Sequence, residues 1–271
     1  MANDKIKLSN RLAKSLLGML PRYNNSLYRL CKKYVDGYRG DNDTDFRSNG
    51  ELAYLRQELG GGQALIVFDV GSNIGEWARA ALAINGNIFL HCFEPSSETF
   101  ALLENNKFPP NVTLNRAGLG SMPGEMELHI AGSGSPMNSL YMRHGVFGAE
   151  MTRTEKVSIE TVDKYCTANK IDHINFIKVD VEGHELAVFQ GMRQKLEQGK
   201  VKCIQFEYGG CNLDARVYLG DIWEFFSRFD YSFYKVYPQG LKSVLTYTPE
   251  LETFQYSNWV VMHNDHSLKV K

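Results

Sequence analysis

Asp69, Glu94, Asp180 and Glu207 each end an apolar run: 64–68, 88–93, 175–179 and 201–206. In an open parallel sheet, ligands bind in the crevice beyond the carboxyl ends of the strands. Four strand-ending carboxylates at one rim make a polar crevice rather than a core. Asp180 opens the segment Asp180-Val181-Glu182-Gly183-His184-Glu185. An alcohol is a weak nucleophile until its proton is removed, and histidine titrates near operating pH, so His184 is the best-placed candidate base. A divalent cation held by Asp180 with Glu182 or Glu207 is a second route, because it would lower the pKa of a bound hydroxyl. The residue types alone leave two plainer readings open. His184 can be a helix-start histidine bonded to Asp180 or to backbone, and Glu207 can cap the segment after its strand.

The first of these strands runs into Asp69-Val70-Gly71-Ser72-Asn73-Ile74-Gly75, and a helical stretch, 76–83, comes next. A glycine-rich turn between strand and helix lets backbone pass close to a ligand. Glu94 lies about 20 positions beyond the turn, where an acidic residue suits the two hydroxyls of a ribose. A nucleoside-bearing cofactor is implied. A dinucleotide asks for G-x-G-x-x-G. Here the pattern is G-x-N-x-G, with Glu76 next at the helix start, where its charge would repel a pyrophosphate. Asp69 can accept from an ammonium group, as in the methionine part of S-adenosylmethionine. Asn73 is tolerable in the turn because asparagine visits positive φ readily.

The elements that must position these groups alternate from Ala64 onward. Strands are expected at 64–69, 88–93, 111–115, 125–130, 174–179, 201–206, 231–236 and 257–262. Helices are expected at 75–84, 97–106, 161–169, 183–198 and 217–228. Alternation of this kind predicts a parallel sheet with helices on both faces. The last two strands succeed one another without a helix, which predicts an antiparallel strand inserted at the sheet edge. Residues 131–155 have no clear period and are a candidate lid or substrate loop. Residues 1–62 read as a helical extension, with breaks at Pro21 and at Gly60-Gly61-Gly62, and 63–271 as the catalytic domain.

The chain of 271 residues has a net charge of −1, which gives no push toward nucleic acid. Residues 1–40 are the exception, with nine basic residues against Asp4 and Asp36. Leu8, Leu12, Leu16, Leu17 and Leu20 recur there at helical spacing. Such a helix can cap the domain, or rest on a membrane surface or an acidic partner. A homodimer contact through these helices is also open. Cys31, Cys92, Cys166, Cys203 and Cys211 are odd in number and show no C-x-x-C spacing, as expected of core thiols in a reducing compartment. No apolar run approaches the ~20 residues that span a bilayer, and no secretory signal is evident. A cytoplasmic protein is expected, with a peripheral place at the inner membrane face as its variant.

The turn 69–75, the triplet Phe93-Glu94-Pro95, the segment 117–120, the block 177–185 and Phe206-Glu207 resemble the FkbM-type methyltransferases. The resemblance covers roughly 64–208, with weaker support to about 263. It implies a class I, Rossmann-like α/β fold: a three-layer sandwich with a seven-stranded, mostly parallel sheet whose last strand is antiparallel. It implies S-adenosylmethionine-dependent O-methylation, commonly of a sugar in a glycan or of a hydroxyl on a secondary metabolite. By matching position it implies Asp69, Gly71 and Gly75 on the methionine part and Glu94 on the ribose; the full cofactor-binding set expected is Asp69, Gly71, Ser72, Asn73, Gly75, Glu94, Pro95, Gly118 and Asp180. Asp180 would sit beside the reacting centre, and His184 and Glu207 join it as catalytic candidates on their residue types and placement. Ser72 stands where the family usually has alanine, a mild departure.

Three rivals remain. A nicotinamide oxidoreductase would show the pyrophosphate glycine pattern. A nucleic-acid methyltransferase would not place Asp180-Val181-Glu182-Gly183 against a phosphate backbone. A non-catalytic scaffold that keeps the cofactor pocket is the third.

Overall fold

The computed structural model describes residues 23–143, 151 and 153–267, together with positions 10, 13–15 and 18. The five leucines of the 8–20 repeat, and residues 144–150 of the candidate lid, therefore lie outside the described residues. Two compact units emerge, residues 1–39 and 40–271. The first contains helix α1 (Asn25–Arg39), which carries an i,i+4 pair between Lys32 and Asp36 at 2.7 Å. The larger unit starts at Gly40, earlier than the expected boundary at 63. The reason is helix α2 (Glu51–Leu59), whose Tyr54, Leu55 and Leu59 are buried in the core with Val67, Leu90 and Phe176.

The larger unit is built on eight strands: β1 (Ile66–Val70), β2 (Phe89–Phe93), β3 (Val112–Asn115), β7 (Phe176–Val179), β8 (Cys203–Tyr208), β9 (Tyr231–Tyr237), β10 (Gly240–Val244) and β11 (Ser257–His263). Their spatial order is β10-β9-β11-β8-β7-β1-β2-β3. Strands β3, β2, β1, β7 and β8 are parallel, and β11 is antiparallel to both β8 and β9. The last strand is thus antiparallel as expected, but it is wedged between β8 and β9 instead of forming the edge. The edge belongs to β10, an eighth strand that pairs antiparallel with β9 across the turn at Gly240. Val70, Phe176, Ile177, Val179, Ile204 and Phe206 are fully buried. Central parallel strands covered on both faces read as near-continuous apolar runs, which is why they are legible in sequence.

Helices α3 (Glu76–Ile84), α4 (Ser97–Glu104), α5 (Val162–Ala168), α6 (Glu185–Gln190), α7 (Arg193–Glu197), α8 (Gly210–Ala215) and α9 (Leu219–Phe226) cover the sheet. The expected helix 183–198 is two short helices. Gly191 packs its backbone onto the carbonyl of Gly120, a close approach that a side chain would block, and the helix breaks there. A second, three-stranded sheet orders β4 (Gly118–Leu119), β6 (Arg153–Glu160) and β5 (Gly124–Ile130) as β4-β6-β5. Strand β6 begins inside the stretch read as aperiodic. Its outward face alternates charged and polar residues around only two buried ones, Val157 and Ile159. Among the described residues, no helix is long and apolar enough to cross a membrane. All five cysteines are free, and four are buried.

Candidate functional site

A cavity of about 1140 Å³ opens over the carboxyl ends of β1, β2, β7 and β8. Gly71, Ser72, Asn73, Glu94, Pro95, Gly118, Asp180, Glu182, His184 and Glu207 all line it. Tertiary structure thus brings together ten residues that span 137 positions of sequence, from 71 to 207. Two expected members do not line it. Asp69 is fully buried behind the turn, with neither carboxylate oxygen hydrogen-bonded, and burial raises its pKa to about 6. Gly75 is glycine for packing reasons. Its φ is 82°, and a Cβ there would come within 2.9 Å of both Leu103 and Phe108.

The turn spends its N–H groups internally. Gly71 and Ser72 N–H both donate to Phe93 O at 3.0 Å. Asn73 N–H donates to Glu94 Oε2 at 3.0 Å, and Ile74 N–H to Asn73 Oδ1 at 2.6 Å. Gly75 N–H donates to Ser72 O at 2.8 Å. A pyrophosphate needs such donors free, so this turn is a poor dinucleotide cradle. Glu94 also accepts from Ser96 N–H through Oε1 at 3.0 Å. Each Glu94 oxygen therefore keeps a further lone pair for a ribose hydroxyl. Burial pushes its pKa up to about 7.

The loop after β7 is held by a residue that reads in sequence as a mere neighbour. Glu185 is fully buried, and its Oε1 accepts from Val181 N–H at 3.2 Å and Gly183 N–H at 3.1 Å. Its Oε2 accepts from Asn212 Nδ2 at 3.1 Å. That clamp holds Glu182 at φ 54° and Gly183 at φ 103°. A Cβ on Gly71 would run straight into the carbonyl oxygen of Asp180, so the two loops touch backbone to backbone.

Electrostatics separate the candidates for acid–base work. His184 shares a hydrogen bond from Nδ1 to the Tyr141 hydroxyl at 2.9 Å. Its Nε2 is buried without a partner and faces Gly120, where an added Cβ would lie 2.9 Å away. One ring nitrogen is thus engaged and the other buried, and burial lowers the imidazole pKa to about 4. Glu207 faces the cavity and accepts from the Tyr256 hydroxyl at 3.2 Å. Burial and the neighbouring Asp180 push its pKa well above the ordinary carboxylate range.

The carboxylates expected as metal ligands already face protein cations. Asp180 Oδ2 accepts from Lys178 Nζ at 2.8 Å, and Glu182 is paired with Arg143. Arg143 also lies 3.7 Å from Asp214. Despite burial, the fields of Asp180, Glu207 and Asp69 raise the pKa of Lys178 and keep it protonated. Among the described residues, no three His, Cys, Asp or Glu side chains are grouped as a metal site. Lys178 is legible in sequence, since it shares a strand face with Asp180 at a spacing of two. Arg143 is not, because it lies in an aperiodic loop. Glu51 escapes sequence reasoning differently. It starts a helix outside the recognised motifs, yet its carboxylate accepts from Gln205, Asn258 and Tyr256 deep under the cavity wall.

The β3-β2-β1-β7-β8-β11-β9 order, the glycine turn and the acid closing β2 define a class I methyltransferase of the S-adenosylmethionine-dependent kind. Residues 69–233 match the model of the methyltransferase FkbM domain, and the chain belongs to that family. It is 32% identical over 149 residues to the hexuronic acid methyltransferase AglP of Haloferax volcanii, a match covering 53% of this chain and 56% of that one. It is 24% identical over 168 residues to the 2-O-methyltransferase NoeI of Sinorhizobium fredii, covering 58% of this chain and 67% of the relative. The chain thus spans little more than half the length of the first of these relatives. Among solved structures, the precorrin-6y C5,15-methyltransferase of Geobacter metallireducens aligns at 12% identity and a TM-score of 0.41, over 83% of this chain and 93% of that one.

Proposed function

We propose that the protein is an S-adenosylmethionine-dependent O-methyltransferase acting on a sugar hydroxyl, with Glu207 as the general base. One observation carries the reading: Glu94, Asp180 and Glu207 line a single cavity with the spent-donor glycine turn. The name of the first relative supports a sugar acceptor, and that of the second supports transfer to an oxygen. Gly71, Ser72 and Asn73 would form the cofactor's bed, Glu94 would take the ribose hydroxyls, and Pro95 and Gly118 would flank the base. When bound, S-adenosylmethionine supplies an electrophilic methyl on a sulfonium centre. Glu207 takes the acceptor proton, because a carboxylate with a raised pKa is a stronger base than an exposed one. Tyr256 orients it by hydrogen bond. Asp180, neutralised by Lys178, gives the reacting centre a fixed dipole instead of a net charge. His184 acts here as a positioning residue that holds Tyr141. The reaction needs no metal in this scheme, since Asp180 and Glu182 already have cationic partners.

Calorimetry with S-adenosylmethionine and with NAD, followed by methyl-transfer assays on a panel of glycosides, tests the reading. Saturable binding of the first alone, with transfer to at least one glycoside, is expected. Tight binding of NAD, or methyl transfer only to non-sugar hydroxyls, would overturn it.

A further inference from the structure

Beside the cavity, α2 and α3 flank a second, open recess of about 680 Å³. Arg47, Arg56 and Arg79 line it, against the single carboxylate of Glu76. All three arginines are exposed. Among the described residues, none of them has a carboxylate within ion-pair distance, whereas four other arginines do. Arg79 instead donates to Ile74 O at 3.1 Å and to Asn106, and the Arg47 guanidinium sits 5.7 Å from the Phe46 ring centroid. Phe46 and Glu76 line both the recess and the cavity, so the two hollows adjoin at these side chains.

The cavity has the opposite character. Its two cations, Lys178 and Arg143, are already engaged by Asp180 and Glu182. Glu51, Glu94 and Glu207 line it as well. A phosphate placed in the cavity would meet carboxylates with no unengaged cation, a costly burial. The burial and mutual repulsion that raise the pKa of Glu182, to about 8, and of Glu207 point the same way: the cavity resists further negative charge. In the adjoining recess, a phosphate would find three guanidiniums, each suited to bidentate recognition.

Resting on the proposed sugar acceptor, we infer that this acceptor is an uncharged sugar carried on a phosphate or diphosphate leader. The sugar enters the cavity, and the phosphate sits on Arg47, Arg56 and Arg79. Two sources offer this chemistry, a nucleoside diphosphosugar and a polyprenyl diphosphosugar, and both place an anion directly beside the anomeric carbon.

The test compares kcat/KM for one hexose presented as its methyl glycoside, its 1-phosphate, its nucleoside diphosphate and its polyprenyl diphosphate. At least one phosphate-bearing form should exceed the methyl glycoside by about tenfold, the scale of one good charge-assisted contact. The better of the two diphosphate forms identifies the source. The double variant Arg47→Ala/Arg56→Ala should abolish that advantage and leave the methyl glycoside rate unchanged, because neither arginine lines the cavity. Added salt should erode the advantage in the wild type. Equal rates with and without phosphate, or an advantage that survives the double variant, would overturn the inference. A protein that binds S-adenosylmethionine yet methylates no form of the sugar would instead bring down the sugar reading itself.

Discussion

Gly71→Ala is the most demanding test of the site's construction. Gly71 has φ 84°, and its missing Cβ would project into the Asp180 carbonyl oxygen. The left-handed backbone costs an alanine about 1–2 kcal/mol. Overpacking against another group costs typically ~1–3 kcal/mol. Here the neighbour is backbone and cannot rotate away. Asp180 N–H is bonded to Val70 O at 2.9 Å, and β1 and β7 are paired through Val70 and Val179. The sum is about 2–5 kcal/mol. A domain of this size loses roughly 2–4 °C of Tm per kcal/mol, so thermal unfolding should fall by about 4–20 °C. Separating the two loops also shifts Asn73 and Glu94, so calorimetric affinity for S-adenosylmethionine should drop by more than ~10-fold, equivalent to about 1.4 kcal/mol. Gly86→Ala is the control, since no atom lies within 4 Å of an added Cβ there and its φ is not positive. If Gly71→Ala melted with the wild type and bound the cofactor equally well, the close contact of the two loops would not be what shapes the site.

Glu207→Gln should reduce kcat by roughly 10²–10⁴-fold, the usual yield of a general base, while cofactor affinity measured by calorimetry stays near wild type. Because the base must be ionised and its pKa is raised, the wild-type rate should climb with pH above the ordinary carboxylate range; a flat profile from about pH 5 to 9 would count against the role. Asp69 bears on stability. Its folded pKa of about 6 lies above the ordinary aspartate value, so the folded state binds the extra proton, and stability falls as pH rises from about 4 through 6. Asp69→Asn should therefore unfold at higher denaturant than wild type at about pH 8, by about 1–3 kcal/mol, with the difference vanishing near pH ~4. A destabilised variant at the higher pH would refute the orphan-carboxylate account. Glu185→Ala strands the three donors it now serves and should cost about 3–5 kcal/mol in chemical denaturation. Faster hydrogen exchange should appear at Val181 and Gly183.

The sequence alone determined the parallel core and the rim of carboxylates. Strands buried on both faces have no polar alternation to hide them, and a carboxylate just past the end of such a run points to the crevice at the strand ends, as Glu94, Asp180 and Glu207 do. The turn at 71–75 was legible because few residues tolerate its backbone, and the segment 180–185 because its residue types are unlike a core. Short-range rules could not see contacts made by distant segments. The insertion of β11 beside β8 is a matter of long-range pairing, and β10 emerged only because β9 offered it an edge. The break at Gly191 depends on Gly120, 71 positions earlier. Glu51 reaches the site from a helix outside the family match, and Arg143 from a loop without period.

Tertiary structure also changed roles. Asp69 reads as a ligand-facing acid, yet a strand residue alternates faces, and the packed side is where its carboxylate fell. His184 has the chemistry of a base in isolation. Burial holds it neutral and turns one nitrogen to Tyr141 and the other to Gly120. Residue type tells what a side chain can do in water. Solvent access and the charges around it, set only when the chain closes on itself, decide what it does in place.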